Sequence, residues 1–429
     1  MKHQKALFCV LLALSIHAND ASRILGIFPY NGKSHFRMFD VLCRELAKRG
    51  HQVDVISHFP LKTPLANYTD VVDLNGTLKT VVNGLTTDYG KHIQRSLTYF
   101  VATTFGNNLC DLMKQEKMQK FIKNPPNDPP YDLIIVEVNI FQVKSNDSEF
   151  RSILSFSAKQ TPVAIIISSM QMSFIDDIMG NPTSYAFISG FYNDNAVVDT
   201  FFDRLELEKT VSLAIVNSHY SYYGIRPNTP AVIEGTFYED RQIFLNRDAF
   251  EISTYVLSSP IKSDQIKGLS DVSFTEHPNT RVFVTHGGLM GTQEAVYCGV
   301  PMIGMPVFGD QVKNINILVE KNVAVLVDIA DITEHSMDVA KQSLSDTVHY
   351  CFRESVKIMS KMFRDRPMTA LDTAVYWIEY VLRNGPDSLR SAAVKLPWWK
   401  LHLLDVFVFL FASTYNSIKR AVGSLIKYN

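Results

Sequence analysis

The stretch RVFVTHGGLMGTQEAVYCGVPMIGMPVFGDQVKN, residues 281 to 314, gathers side chains able to hold a phosphorylated, hydroxyl-rich ligand. A β-branched run stops at Thr285-His286 and meets the pair Gly287-Gly288. A helical pattern carrying Glu294 follows, and a second apolar run leads to Asp310-Gln311. Glycines let backbone approach a ligand closely, and a helix that starts just beyond them presents free N–H groups and its positive dipole end. His286 could donate a hydrogen bond to a phosphate oxygen. Glu294, about two helical turns further on, could accept from a sugar hydroxyl. Asp310 and Gln311 offer acceptors and donors for a polyol. Taken singly, each residue has a plainer use: glycine pairs serve turns, a lone histidine is usually structural, and an Asp at a helix start is usually a cap. Their order and their shared sheet edge argue for a site.

The elements that position these residues are legible in the apolar periodicity. RVFVTH reads as a strand, LMGTQEAVYCG as a helix, PMIGM as a strand, DQVKNINILVEKN as a helix and VAVLVD as a strand. The N-terminal half repeats the same grammar. RILGIFPY (23–30) is a strand, NGKSH a loop, and FRMFDVLCRELAKRG a helix with Phe39, Leu42, Cys43, Leu46 and Ala47 on one face. VDVISHF, DLIIVEV (132–138), PVAIIIS (162–168) and SLAIVNS (212–218) are further strands, with a helical, partly aromatic region between about 80 and 123. Buried strands alternating with amphipathic helices predict an α/β fold with parallel, doubly wound sheets. In such sheets ligands gather at the carboxyl ends of the strands, where His286, Gly287, Gly288 and the Asp310-Gln311 loop all fall.

The 429 residues allow two domains, 46% are hydrophobic, and a net charge of −1 gives no electrostatic reason to expect nucleic acid as a partner. MKHQKALFCVLLALSIHAND has the charged start and apolar run of a secretory signal peptide, assigned to residues 1–20. Of five cysteines, Cys9 falls in that leader; Cys43, Cys110, Cys298 and Cys351 are far apart and form no disulfide framework or zinc motif. Asn67, Asn75 and Asn146 open sequons, which fits a luminal domain. Near the C-terminus Trp398-Trp399 leads an apolar run broken by His402 and Asp405 and followed by Lys419, Arg420 and Lys427. Residues 396–418 read as a transmembrane anchor with a basic cytosolic tail at 419–429, an interfacial amphipathic helix being the other reading.

THGG, Glu294 and VPMIGMPVFGDQVKN resemble the signature of the UDP-glycosyltransferase family, whose animal members include UDP-glucuronosyl- and UDP-glucosyltransferases. GKSHF, FRDRPMTALDTAVYWIEYVLR (363–383) and the tryptophan-led C-terminal segment are similar to arthropod members. The resemblance implies a GT-B fold: two Rossmann-like domains, an acceptor-binding one at 21–235 and a UDP-sugar-binding one at 236–390. It also implies a single-pass type I protein of the endoplasmic reticulum membrane facing the lumen. By position His286 would contact the diphosphate, Glu294 the ribose, and Asp310 with Gln311 the transferred sugar; Met290 stands where some members have a polar residue. His35 in GKSHF matches the catalytic base. An imidazole at a helix start could take the proton of an acceptor hydroxyl, after which attack on the anomeric carbon expels UDP with inversion, with no metal and no cofactor. The family orients this base with an acid at the end of a later strand, here Glu137, with Asp147 the weaker candidate. The implied reaction moves glucose or glucuronate from a UDP-sugar to small lipophilic hydroxyl compounds.

One part of the pattern is missing. Residues 231 to 280 are polar and short, and lack the family's strand with a Ser-rich turn and its Trp-x-x-Gln motif, which stacks on uracil. The donor domain therefore reads as abbreviated, and the strand at 282–284 as an edge in need of cover. A non-catalytic member acting as partner of full-length transferases, in a homo- or hetero-oligomer, is the alternative to an active enzyme.

Overall fold

The computed structural model describes residues 21–78, 111–124, 129–137, 161–168, 280–307, 310–328, 349–389, 391–401 and 403–427. It adds a few isolated residues and the backbone of strands at 211–216, 232–234 and 255–258. The first sheet is built from β1 (Arg23–Phe28), β2 (Gln52–Ser57), β3 (Tyr68–Asp73), β4 (Leu133–Glu137), β5 (Val163–Ile167), β6 (Val211–Val216) and β7 (Val232–Glu234). All its pairings are parallel, in the order β3-β2-β1-β4-β5-β6-β7. The order reverses direction between β1 and β4, as in doubly wound sheets whose ligands sit at that switch point. Strands β4 and β5 are buried along their whole lengths, as helices on both faces require. The outermost strand β3, YTDVVD, mixes buried and exposed residues as an edge does and was not foreseen from its polar sequence.

The helix α1 (Lys33–Lys48) returns from β1 to β2. Phe36, Phe39, Leu42, Cys43, Leu46 and Ala47 recur at helical spacing and are all buried against the sheet. Within that face Phe28 of β1 stacks on Phe39 with ring centroids 4.8 Å apart. The opposite face is covered partly by α2 (Glu116–Lys123), through Met118 and Phe121. The remainder of the helical region foreseen between 80 and 123 lies almost wholly outside the described residues, as do the leader, Asn146 and Asp147.

The second sheet has the order β11-β10-β9-β8, from β8 (Tyr255–Ser258), β9 (Thr280–Thr285), β10 (Met302–Gly304) and β11 (Ala324–Leu326). Strands β9, β10 and β11 are parallel, whereas β8 runs antiparallel to β9. Residues 255–258, in the stretch read from sequence as lacking the family's strand with a Ser-rich turn, thus form a strand, and the edge of β9 is covered within the chain. Helices α3 (Leu289–Cys298), α4 (Asp310–Glu320) and α5 (His349–Arg364) pack on this sheet around Phe283, Val296, Met302, Ile315, Leu318 and Phe363.

The helix α6 (Ala370–Asn384) changes the expected domain boundary. Assigned from sequence to the domain at 236–390, it instead packs on the first sheet. Ala374, Val375, Ile378 and Val381 are fully buried in one cluster with Phe28, Phe39, Leu42 and Leu46. The stripe at 374, 378 and 381 needs an apolar partner, and α1 provides it. Arg49, one residue past α1, reinforces the contact through Asp372 at 2.7 Å and Glu379 at 3.8 Å. The last helix, α7 (Leu404–Lys427), is 24 residues long and exposes Phe407, Val408, Phe409, Leu410, Phe411, Tyr415 and Ile418. Among the described residues no helix is long and apolar enough to cross a membrane.

If α6 belongs to the first core, Ile378→Ala should cost about 2–4 kcal/mol through the cavity it leaves. Hydrogen exchange should then quicken in α1 and β1. Faster exchange confined to β9–β11 would contradict this assignment.

Candidate functional site

Two groups of side chains meet at the carboxyl ends of the two sheets. In the first, His35 lies in the opening turn of α1, just beyond β1, while Glu137 closes β4. Because β1 and β4 are neighbours, the imidazole reaches over the end of β4. His35 Nδ1 lies 3.7 Å from Glu137 Oε1, a charge contact too long for a hydrogen bond. The close partner of the same nitrogen is Ser168 Oγ, at 2.6 Å. The Tyr30 ring stands edge-on to the imidazole, with centroids 4.8 Å apart.

The carboxyl of Glu137 is 2% exposed, and burial pushes its pKa up. The nearby His35 and the Tyr30 backbone N–H pull in the other direction. Its Oε1 makes no hydrogen bond. Burial and the Glu137 charge raise the Tyr30 phenol well above its usual range, so it stays a neutral hydroxyl. His35 keeps about a third of its side-chain surface open, 35%, which leaves the ring reachable by a substrate. The pairing of His35 with Glu137 expected from sequence is therefore present as proximity, and the hydrogen bond belongs to Ser168.

In the second group, the turn after β9 is fixed by its own backbone. Gly287 has φ +85, a left-handed conformation. A Cβ there would lie 2.7 Å from Ile315 Cγ1 and 2.8 Å from the Gln311 carbonyl. The need for glycine at this position thus comes from close packing of α4 as well as from the turn. At Gly288, a Cβ would lie 2.5 Å from His286 Nε2, so the missing side chain makes room for the imidazole. Burial lowers the pKa of His286, which favours the neutral ring with one N–H to offer. Thr285 Oγ1 accepts from the Gly287 N–H at 3.1 Å.

The helix α4 locks the same turn from the side. Asn314, fully buried, donates to the Gly287 carbonyl at 3.0 Å and to Asp310 Oδ2 at 3.1 Å. Gln311 is buried, and its Oε1 accepts from the Val307 N–H at 2.9 Å. One of the two polar atoms foreseen for a polyol is therefore already holding the loop. Glu294 is 2% exposed on α3, so a ribose hydroxyl would have to meet it inside the fold. The Asp310 carboxyl is raised by burial and lowered by Asn314 and by the charge of His35.

Sequence reasoning missed Ser168 and Asn314. Ser168 ends the apolar run PVAIIIS at the same sheet edge as Glu137, and that position was the available signal. Asn314 sits one helical turn after Asp310, a spacing that placed both on one face.

The fold and site define an α/β protein with a histidine and a buried acid at a doubly wound switch point, opposite a glycine-turn motif suited to phosphate. Residues 266–428 match the model of the family described as UDP-glucoronosyl and UDP-glucosyl transferase. The chain is 28% identical to a UDP-glycosyltransferase, UGT5, of Dactylopius coccus, covering 90% of this chain and 88% of that protein. That alignment spans 477 positions against 429 residues here, so the relative carries stretches that this chain lacks. It is also 43% identical to UDP-glucuronosyltransferase 2B15 of Homo sapiens over 138 residues, 32% of this chain and 26% of that protein. A solved UDP-glucosyltransferase of Polygonum tinctorium overlays with TM-score 0.49 at 12% identity, over 85% of this chain and 99% of that one. The chain is thus similar to UDP-glycosyltransferases along most of its length, and its residues 266–428 match the model of that family.

The burial of Glu137 yields a test of its protonation. A carboxyl whose pKa is raised on folding costs nothing in the protonated form and becomes destabilising as pH rises through its folded value. Glu137→Gln should therefore raise the melting temperature at neutral pH, with the gain shrinking to nothing below about pH 4, where both states hold the proton. An equal gain at every pH would show that the carboxylate charge is not the cause.

Proposed function

We propose that this chain is a UDP-dependent hexosyltransferase that moves glucose or glucuronate from a UDP-sugar to a hydroxyl of small lipophilic acceptors. It is read as a GT-B enzyme that uses the two sheets as acceptor side and donor side. The family-model match over residues 266–428 and the names of the relatives support the reaction class. The observation that carries the mechanism is the placing of His35 beside the buried Glu137, with Nδ1 3.7 Å from Oε1.

In this reading the His35 ring takes the acceptor proton as the acceptor oxygen bonds the anomeric carbon. The bond from that carbon to the β-phosphate oxygen breaks with its electron pair leaving on UDP, and the configuration inverts. Glu137, buried beside Nδ1, stabilises the imidazolium that forms. The turn at Gly287-Gly288, the start of α3 and the neutral His286 would hold the diphosphate, Glu294 the ribose, and Asp310 with Gln311 the sugar. The reaction needs no metal or cofactor.

The second reading, a non-catalytic partner of intact transferases, is favoured by one observation. The relative's extra stretches have no counterpart here, and β8 closes the second sheet with an antiparallel strand.

His35→Ala should abolish sugar transfer, by about 10²–10⁴-fold, with UDP affinity by calorimetry unchanged. A His35→Ala protein with near-normal turnover would refute the base assignment. Wild-type protein that binds UDP without transferring sugar would favour the partner reading.

The proposed setting is the endoplasmic reticulum membrane, with the leader at 1–20 removed, the bulk luminal, and α7 attaching the chain through its exposed phenylalanines. Retention of the protein in membranes after alkaline carbonate washing is expected if α7 and its flanks span. Release by that wash would assign α7 to the interface instead.

A further inference from the structure

An imidazole acts as a base only through a nitrogen that carries no proton, so the tautomer of His35 decides whether it works at all. Nδ1 faces inward, toward Ser168 Oγ at 2.6 Å and Glu137 Oε1 at 3.7 Å. A hydroxyl can donate to that nitrogen or accept from it. If Ser168 donated, the ring proton would sit on Nε2 and the outward nitrogen would have no lone pair for an acceptor hydroxyl. If Ser168 accepts, Nδ1 carries the proton and Nε2 is open.

The neighbouring carboxylate breaks the tie. Glu137 is 2% exposed and its Oε1 has no hydrogen-bond partner. A negative oxygen on the Nδ1 side repels a lone pair there and attracts an N–H. The sheet order supports the same geometry. Glu137 pairs in register with Ile166, and Ser168 lies two residues further along β5 on the same face as Ile166. The ends of β1, β4 and β5 are therefore adjacent, with the histidine from the helix start after β1, the carboxylate from the end of β4 and the hydroxyl from the residue just past β5.

We propose that Ser168 is a positioning residue: its Oγ accepts a hydrogen bond from the Nδ1–H of His35 and holds the imidazole in the tautomer whose unprotonated Nε2 can take the acceptor proton. The hydroxyl fixes the direction of the ring, and Glu137 supplies the charge that holds the proton on the inner nitrogen. During transfer the acceptor proton moves to Nε2 while the other ring proton stays on Nδ1, hydrogen-bonded to Ser168 Oγ, so His35 becomes an imidazolium between two supports. This role rests on the transferase reading above.

The test reads the tautomer directly. Full-length protein labelled with ¹⁵N-histidine gives ring-nitrogen shifts, assigned to His35 by comparison with His35→Gln, at a pH where the ring is neutral. The groups facing the ring are Glu137, Tyr30 and, across the cleft, Asp310, and the pH series is repeated in Glu137→Gln to separate their effects. Wild type should show one tautomer with the proton on Nδ1. Ser168→Ala should show a mixture, with kcat lower by roughly tenfold, a smaller loss than removing the base itself, and KM for the UDP-sugar unchanged. Ser168→Thr should restore both readouts. If the alanine protein does not fold, Ser168→Cys, nearly the same size and a weak acceptor, takes its place. A wild-type proton on Nε2, or a tautomer unchanged by the substitution, overturns the proposal whatever kcat does. A wild-type protein that transfers no sugar sinks the transferase reading alone, because the tautomer still reports on Ser168.

Discussion

The carboxyl of Glu137, taken out of water at the end of β4, is the constraint around which the first half of the molecule is arranged. A buried ionised carboxyl is costly unless opposite charge or donors reach it. Two supports are present: the His35 ring over the strand end and the Tyr30 backbone N–H from the turn after β1. Both come from the β1–α1 connection, which is adjacent to β4 only because the sheet order changes direction there. A carboxyl on an exposed loop would need none of this. The strand order, the packing of α1 and the chemistry of the base are consequences of one unfavourable burial being offset locally.

The second half solves a different problem, that of holding a tight turn open toward a ligand. Its recognisable residues divide between building the turn and facing outward. Ile315 and the Gln311 carbonyl leave no room for a side chain at Gly287, and Asn314 and Gln311 tie α4 to the loops on either side. His286 is left lying over Gly288, neutral because burial disfavours its charge. In the proposed reading a neutral donor would suit a diphosphate set at the helix dipole of α3, since hydrogen bonding then adds to the field without a further buried charge.

Much of this was legible in the sequence, for physical reasons. Strands such as LIIVE and VAIII are buried on both faces, so their apolar runs are unbroken, and α1 carries a full helical stripe. The edge strands β3 and β8 were not foreseen, because a strand paired on one side, or ending a sheet, tolerates polar residues and loses its signal. The placement of α6 was hidden for another reason. Its stripe shows that it needs an apolar partner, but only the tertiary structure says which sheet supplies one. Among the candidate residues, His286 and Asp310 stood out in the sequence by type and position, and His35 and Glu137 through the resemblance. Ser168 was hidden in its residue type, since a serine after a strand reads as the beginning of a turn.

The same helix α6 explains how two separate sheets hold a shared site. Leaving α5 on the second sheet, the chain crosses within a few residues to bury Ala374, Val375, Ile378 and Val381 in the first core. The ion pairs of Arg49 with Asp372 and Glu379 lie at the margin of this contact, where solvent screening leaves such pairs about 0–1 kcal/mol each. Burying one branched apolar side chain contributes roughly 1.5–3 kcal/mol, so the stripe dominates the attachment and the charges set its register. A crossing held mainly by non-directional apolar burial keeps the two sheets together without fixing every distance between them. The packing of α6 on α1 then supports the helix whose opening turn carries His35, which links the stability of the α1–α6 contact to the placing of that ring.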